Sequence, residues 1–130
     1  MIKIQLENAE AAYRPGDTIS GSVEWSEEEG DALEARLIWF TRGKGDRDFE
    51  MVAVQHVANY GQSGNERFQF TAPHRPRSFS GKLVSLQWAI EAIVFPGQNN
   101  TLKNLTISNS GKEIDLLPKQ PLDSKKKPLD

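Results

Sequence analysis

His56 and His74 are the two histidines of this chain, and so the first candidates for acid–base or metal chemistry. They lie far apart in sequence, one in a valine-rich segment and one in a proline-bearing loop. No second base or ligand is spaced to join them, so they read as a strand histidine and a loop histidine. Carboxylates are denser. Glu27, Glu28, Glu29 and Asp31 fall in one turn, and Asp46, Asp48 and Glu50 alternate in another. Several carboxylate oxygens from one loop suit a hard cation such as calcium, but neither run has the spacing of an EF-hand loop, and a solvated turn explains both. Arg42, Lys44 and Arg47 surround two glycines that could form an anion-binding concavity, although Asp46 and Asp48 oppose that field. His74, Arg75 and Arg77 form a second basic group, suited to an acidic peptide or surface, or simply to covering a sheet edge with arginine stems. Trp25, Trp39 and Trp88 all fall on apolar parities and are expected in the core rather than on a sugar-stacking platform.

The sequence offers no catalytic set and implies no cofactor. HExxH, GxSxG, GxxxxGK[ST] and GxGxxG are all missing. There is no cysteine, which excludes disulfides, thiolate metal sites and cysteine nucleophiles. A formal net charge of −2 supplies no global field for nucleic acid or an acidic membrane. Lys125 to Lys127 is too short a basic run for more than weak nonspecific contact with nucleic acid. The segment from Met1 to Glu10 carries no apolar run of signal-peptide length, and no stretch reaches the roughly 20 apolar residues of a membrane helix. A soluble, cytoplasmic protein is the expectation.

The elements that must position these side chains are strands. Gly81 to Phe95 organises the rest: Val84, Leu86, Trp88, Ile90, Ala92 and Val94 are all apolar, with Ser85, Gln87 and Glu91 among the residues between them. A period of two fits this run better than a helical period, which would bury Gln87 and Glu91. One face should be core and the other half wet. Ile2, Ile4 and Leu6 alternate in the same way. So do Ile19, Val23 and Trp25, where Gly21 falls on the inward face and calls for a close backbone contact or a bulge. Pro15-Gly16 suits the centre of a type II turn. Leu33, Ala35, Leu37 and Trp39 mark another strand, whose second face turns apolar at Ile38 and Phe40. Phe49 to Ala58 is strand-like but has no clean face. Phe68, Phe70 and Ala72 point inward, and the prolines of 73–76 force an extended connection. Leu102, Leu105 and Ile107, then Ile114 and Leu116-Leu117, close the pattern. About eight strands with turns between them and no helix predict an antiparallel β-sandwich.

Two segments together resemble the N-terminal half of the arrestin family. Tyr13-Arg14-Pro15-Gly16-Asp17-Thr18-Ile19-Ser20-Gly21-Ser22-Val23 is similar to the family's Y-x-P-G-D-x-I-x-G-x-V stretch. Pro73 to Ala92 is similar to its proline-rich approach, S-F-x-G step (Ser78 to Gly81) and long strand, with Trp88 at the aromatic position. The resemblance implies an immunoglobulin-like antiparallel β-sandwich of the arrestin type over 1–117, followed by a disordered tail over 118–130. It also implies a scaffold or adaptor rather than an enzyme, as in receptor-desensitising arrestins, the arrestin-like retromer subunit, ubiquitin-ligase adaptors and bacterial sporulation-control proteins. Family members generally pair two such sandwiches, and this chain has room for one. The interdomain polar core and the paired-lysine phosphate sensor have no counterpart in it.

The expected function is therefore non-enzymatic protein interaction, by strand addition at an open sheet edge together with loop contacts. The interaction candidates are His74, Arg75, Arg77, Arg42, Lys44 and Arg47. The expected partner is a protein, and pairing of a sheet edge with a second copy would stand in for the missing sandwich. The alternative is a sandwich that binds carbohydrate or calcium.

Overall fold

Alternating apolar residues have only one way to bury a single face, and the chain takes it by stacking two sheets. A computed structural model describes residues 1–27, 30–43, 48–57, 60–80, 84–109 and 114–115. Among them are ten strands: β1 (Ile2–Leu6), β2 (Ala12–Tyr13), β3 (Thr18–Ser26), β4 (Ala32–Gly43), β5 (Phe49–His56), β6 (Ser63–Thr71), β7 (Phe79–Ser80), β8 (Val84–Phe95), β9 (Asn99–Ile107) and β10 (Ile114–Asp115). Three of them, β2, β7 and β10, are two residues long; β2 and β7 are additional to the eight that the sequence suggests, and β10 lies at the last of those eight. The smaller sheet runs β1-β3-β6. In the larger sheet β8 is central. β4 lies along one side of it, from Ala32 opposite Phe95 to Gly43 opposite Val84, and β5 lies outside β4. On its other side β8 meets β7 and then β9. The short β10 and β2 add in parallel to β7 and β9.

The core fills the space between the sheets. Ile19, Val23 and Trp25 of β3 and Phe68 and Phe70 of β6 face Leu33 and Leu37 of β4, Trp88 and Ile90 of β8 and Ile107 of β9. Each such side chain, fully buried, contributes roughly 1.5–3 kcal/mol. Gly21 sits on the inward parity because no side chain fits there. An added Cβ would lie 2.2 Å from the Gln5 carbonyl oxygen and 2.8 Å from the Phe68 ring. At the turn into β3, Gly16 has φ +92° and the Asp17 amide donates to the Arg14 carbonyl at 2.9 Å, as a type II turn requires. The Asp17 carboxylate accepts from the Arg14 amide at 2.8 Å and fixes the corner.

Three readings of the sequence change. The second face of β8 is drier than its polar residues suggest: Ala89, Glu91 and Ile93 are buried as well. β8 is flanked on both sides, so its neighbours cover that face too. Trp39 is half-buried rather than fully enclosed, packed against the margin of the core. Leu102 is exposed, because its register opposite Glu91 puts it on the outer face, whereas Leu105 and Ile107 face inward. Residues 81–83, 116–117 and the expected disordered tail over 118–130 lie outside the described residues.

Candidate functional site

β5 is the residue run whose exposure does not follow from its composition. Among the described residues it pairs with β4 only, so it forms the open edge of the larger sheet. An antiparallel edge strand turns half of its backbone N–H and C=O groups outward. Register with β4 sets the direction of each side chain. Phe49, Met51, Val54 and His56 lie opposite Phe40, Ile38, Arg36 and Glu34, all on the outer face. Glu50, Ala53 and Gln55 lie opposite Trp39, Leu37 and Ala35, on the inner face. Between them the register slips. Leu37 pairs with Ala53 and Ile38 with Met51, so Val52 is the extra residue of a β-bulge. This bulge explains why the sequence shows no clean face in Phe49 to Ala58: the alternation reverses halfway along.

The consequence is an apolar edge in water. Phe49 is 57 %, Met51 43 %, Val52 39 % and Val54 37 % exposed. The edge strands of the smaller sheet are not like this. β6 turns Ser63, Asn65, Arg67, Gln69 and Thr71 outward, and β1 exposes Lys3 and Gln5. β5 is held in place from the inside. The Gln55 amide donates to the Arg67 carbonyl at 2.9 Å and to the Glu66 carboxylate at 3.1 Å, tying the large sheet to β6.

Beside the apolar edge, a polar ladder crosses the same outer face. Arg36 donates from Nε to Glu34 Oε1 at 3.0 Å and lies 3.5 Å from Glu91 Oε1. The second contact is within ion-pair range but makes no hydrogen bond, so Glu91 Oε1 is buried without a donor. Glu91 Oε2 accepts from the Asn100 side chain at 2.8 Å, and His56 Nδ1 stands 3.3 Å from Glu34 Oε2. The Arg36 guanidinium also sits 5.3 Å from the centre of the Phe95 ring. The outer face thus offers an apolar border next to a fixed row of charges.

The basic residues singled out in the sequence lie elsewhere. His74, Arg75 and Arg77 are exposed on the connection from β6 to β7. That connection is anchored from beneath: Trp88 Nε1 donates to the Pro76 carbonyl at 2.8 Å, and buried Ser78 exchanges hydrogen bonds with Ile107 at 2.8 and 3.0 Å. Ser78 is a residue that sequence reasoning missed as an anchor; its place in the S-F-x-G step was the available signal. Arg42 is exposed near the end of β4, 5.3 Å from the Phe40 ring, in the row that Ser85 and Ser80 continue across β8 and β7. Lys44 and Arg47 lie outside the described residues, as do Glu28, Glu29 and Asp46. Among the described residues no group of three or more His, Asp or Glu side chains is gathered to hold a metal. Trp25 and Trp88 are in the core, with Trp25 stacked on Tyr60 at 5.5 Å and its Nε1 donating to the Gly61 carbonyl.

No family model matches the sequence, and no curated protein matches it. Among solved structures, the chain is similar to Spo0M, a sporulation control protein from Bacillus subtilis, with a TM-score of 0.59 and 17 % identity over 82 % of this chain. The fold is of the arrestin type. The chain matches 48 % of the length of that protein, about half of it. At this identity the likeness concerns the fold alone, and residue roles have to be argued from this chain alone. Among the described residues no helix is long and apolar enough to cross a membrane.

Proposed function

We propose that this chain is a non-enzymatic protein-interaction domain that receives an extended segment of another chain at the β5 edge. The observation that carries this reading is the row of exposed apolar side chains on a strand with one open side. Strand addition supplies affinity through main-chain hydrogen bonds, and alternate side chains supply selectivity. Phe49, Met51 and Val54 would take apolar side chains of the added strand, and the Arg36–Glu34–Glu91 row would select polar ones beside them. The likeness to a sporulation control protein supports a regulatory role over a catalytic one. In this reading the sandwich acts as one unit over 1–117, in the cytoplasm. His74, Arg75, Arg77 and Arg42, with Lys44 and Arg47 beside them in sequence, form a second contact region for acidic groups.

Selection from a displayed library of extended peptides on the full chain tests the reading. Selected peptides should lose about tenfold or more in affinity on Val54→Glu or Phe49→Ser, in chains whose circular dichroism is unchanged. Peptides indifferent to both substitutions but lost on Arg75→Glu with Arg77→Glu would overturn the edge in favour of the loop.

A further inference from the structure

The apolar edge raises the question of its occupant, a question that rests on the edge reading above. We infer that the occupant is a second copy of this chain, whose β5 runs antiparallel to the first across a two-fold axis between Val52 and Ala53. Natural edge strands are blunted by lysine, proline, inward charge or a bulge. β5 has no lysine or proline; it has one bulge, and one inward charge in Glu50 near its end. The bulge decides the geometry. Paired residues in an antiparallel ladder must point to the same face of the sheet. Because Val52 and Ala53 both stand against Leu37, the faces along β5 read outward at Phe49 and Met51, and outward again at Val54 and His56.

Only one self-pairing joins all eight residues with every pair sharing a face. It sets Phe49 against His56 of the second copy, Glu50 against Gln55, Met51 against Val54, and Val52 against Ala53. A shift by one residue in either direction sets inward side chains against outward ones. The two shorter alternatives that preserve the faces, centred on Glu50 and on Gln55, pair three residues each, and the first opposes Glu50 to its own copy. In the full register no like charges meet, and Glu50 faces a neutral amide.

This register also fits the outer face. Met51 meets Val54 twice, once on each side of the axis, flanked by Ile38 and Phe40 in the rows behind. Met51 and Val54, both exposed in the single chain, then cover one another, and the polar ladders flank the apolar centre. An interface of this kind is isologous, as closed dimers require. Net charge of −2 per chain opposes it only weakly. With one strand's width of contact, association belongs to the small, reversible class.

Sedimentation equilibrium of the full chain tests the inference. Up to about 100 µM, the mass should approach twice 14.6 kDa. Val54→Glu and Met51→Lys should each raise the dissociation constant by about tenfold or more while leaving the circular dichroism unchanged. An equimolar mixture of the two variants should regain dimers, because the substituted positions face each other with opposite charge. A mass of one chain throughout, a dimer indifferent to both substitutions, or a mixture that stays monomeric would each overturn the inference. A monomer that still loses its selected peptides on Val54→Glu overturns self-pairing and leaves the edge reading standing. A dimer that dissolves on Val54→Glu, with no peptide ever selected, supports self-pairing as the use of that edge.

Discussion

Tyr13 shows how a single polar atom is carried in the core of this domain. Its ring is buried, and its hydroxyl has no hydrogen-bond partner. Burial raises its pKa above the usual 10.0, and the negative charges of Glu7 and Asp17 push it in the same direction. The protonated phenol is therefore favoured in the folded state. Its contribution to stability is complete below pH 10, and it is lost as pH rises from there through the raised folded value. Tyr13→Phe should remove that part of the alkaline loss, read as a smaller fall in the urea midpoint between neutral and alkaline pH. At neutral pH the same substitution deletes an unpaired buried hydroxyl. Stability should be unchanged or higher by up to about 1 kcal/mol. A loss of about 2 kcal/mol or more would show that the hydroxyl does have a partner.

Trp88 belongs to the same scale with the opposite sign. It is fully buried, and its indole N–H holds the carbonyl of Pro76. Trp88→Phe leaves a cavity and an unpaired carbonyl together, at a cost of about 2–4 kcal/mol in denaturant unfolding. The effect should extend beyond stability. Amide exchange in 74–78 should quicken more than in β3, because one tether of the connection carrying His74, Arg75 and Arg77 is gone.

At the scale of the elements, Gly21 sets the distance between β1 and β6 on either side of β3. Gly21→Ala places a methyl group on a main-chain oxygen and an aromatic ring, and neither can step aside cheaply. A loss of about 2–4 kcal/mol is expected, against a few tenths for Gly61→Ala, where nothing lies within 4 Å. Equal losses at the two positions would show that backbone entropy, not close approach, sets the cost. The need for Gly21 was legible in the sequence because its parity was fixed by Ile19, Val23 and Trp25 on the same strand. The inward face of β8 was legible for the same reason. β5 was not: its face is inverted at Val52 by a bulge that no local pattern announces, and its place at the edge depends on strand order, which is a property of distant pairings. β2 and β7 were illegible because two residues cannot carry a period, whereas β10 falls where Ile114 and Leu116-Leu117 mark the last strand of the sequence pattern. The exposure of His74, Arg75 and Arg77 could be anticipated from the prolines around them, whereas the bonds that Trp88 and Ser78 make beneath them could not.

At the scale of the whole molecule, the two sheets share one core among the described residues. Trp25 belongs to the small sheet and Trp88 to the large one, and both are in the same buried cluster. Gln55 joins the sheets on one flank, and Thr101 of β9 donates to the Ile2 carbonyl at 3.2 Å on the other. Losing either sheet would expose the inner face of its neighbour, so partial unfolding has no stable product. The domain should therefore unfold in one cooperative step. Tryptophan fluorescence, which follows the core, and far-ultraviolet circular dichroism, which follows the strands, should give superimposable urea curves at low protein concentration. A fluorescence transition that precedes the loss of strand signal would mean that the small sheet detaches first and that the large sheet persists without it. If the sheets separate in that way, the β5 edge would be carried by a unit smaller than the sandwich, and its binding would survive denaturant that melts Trp25.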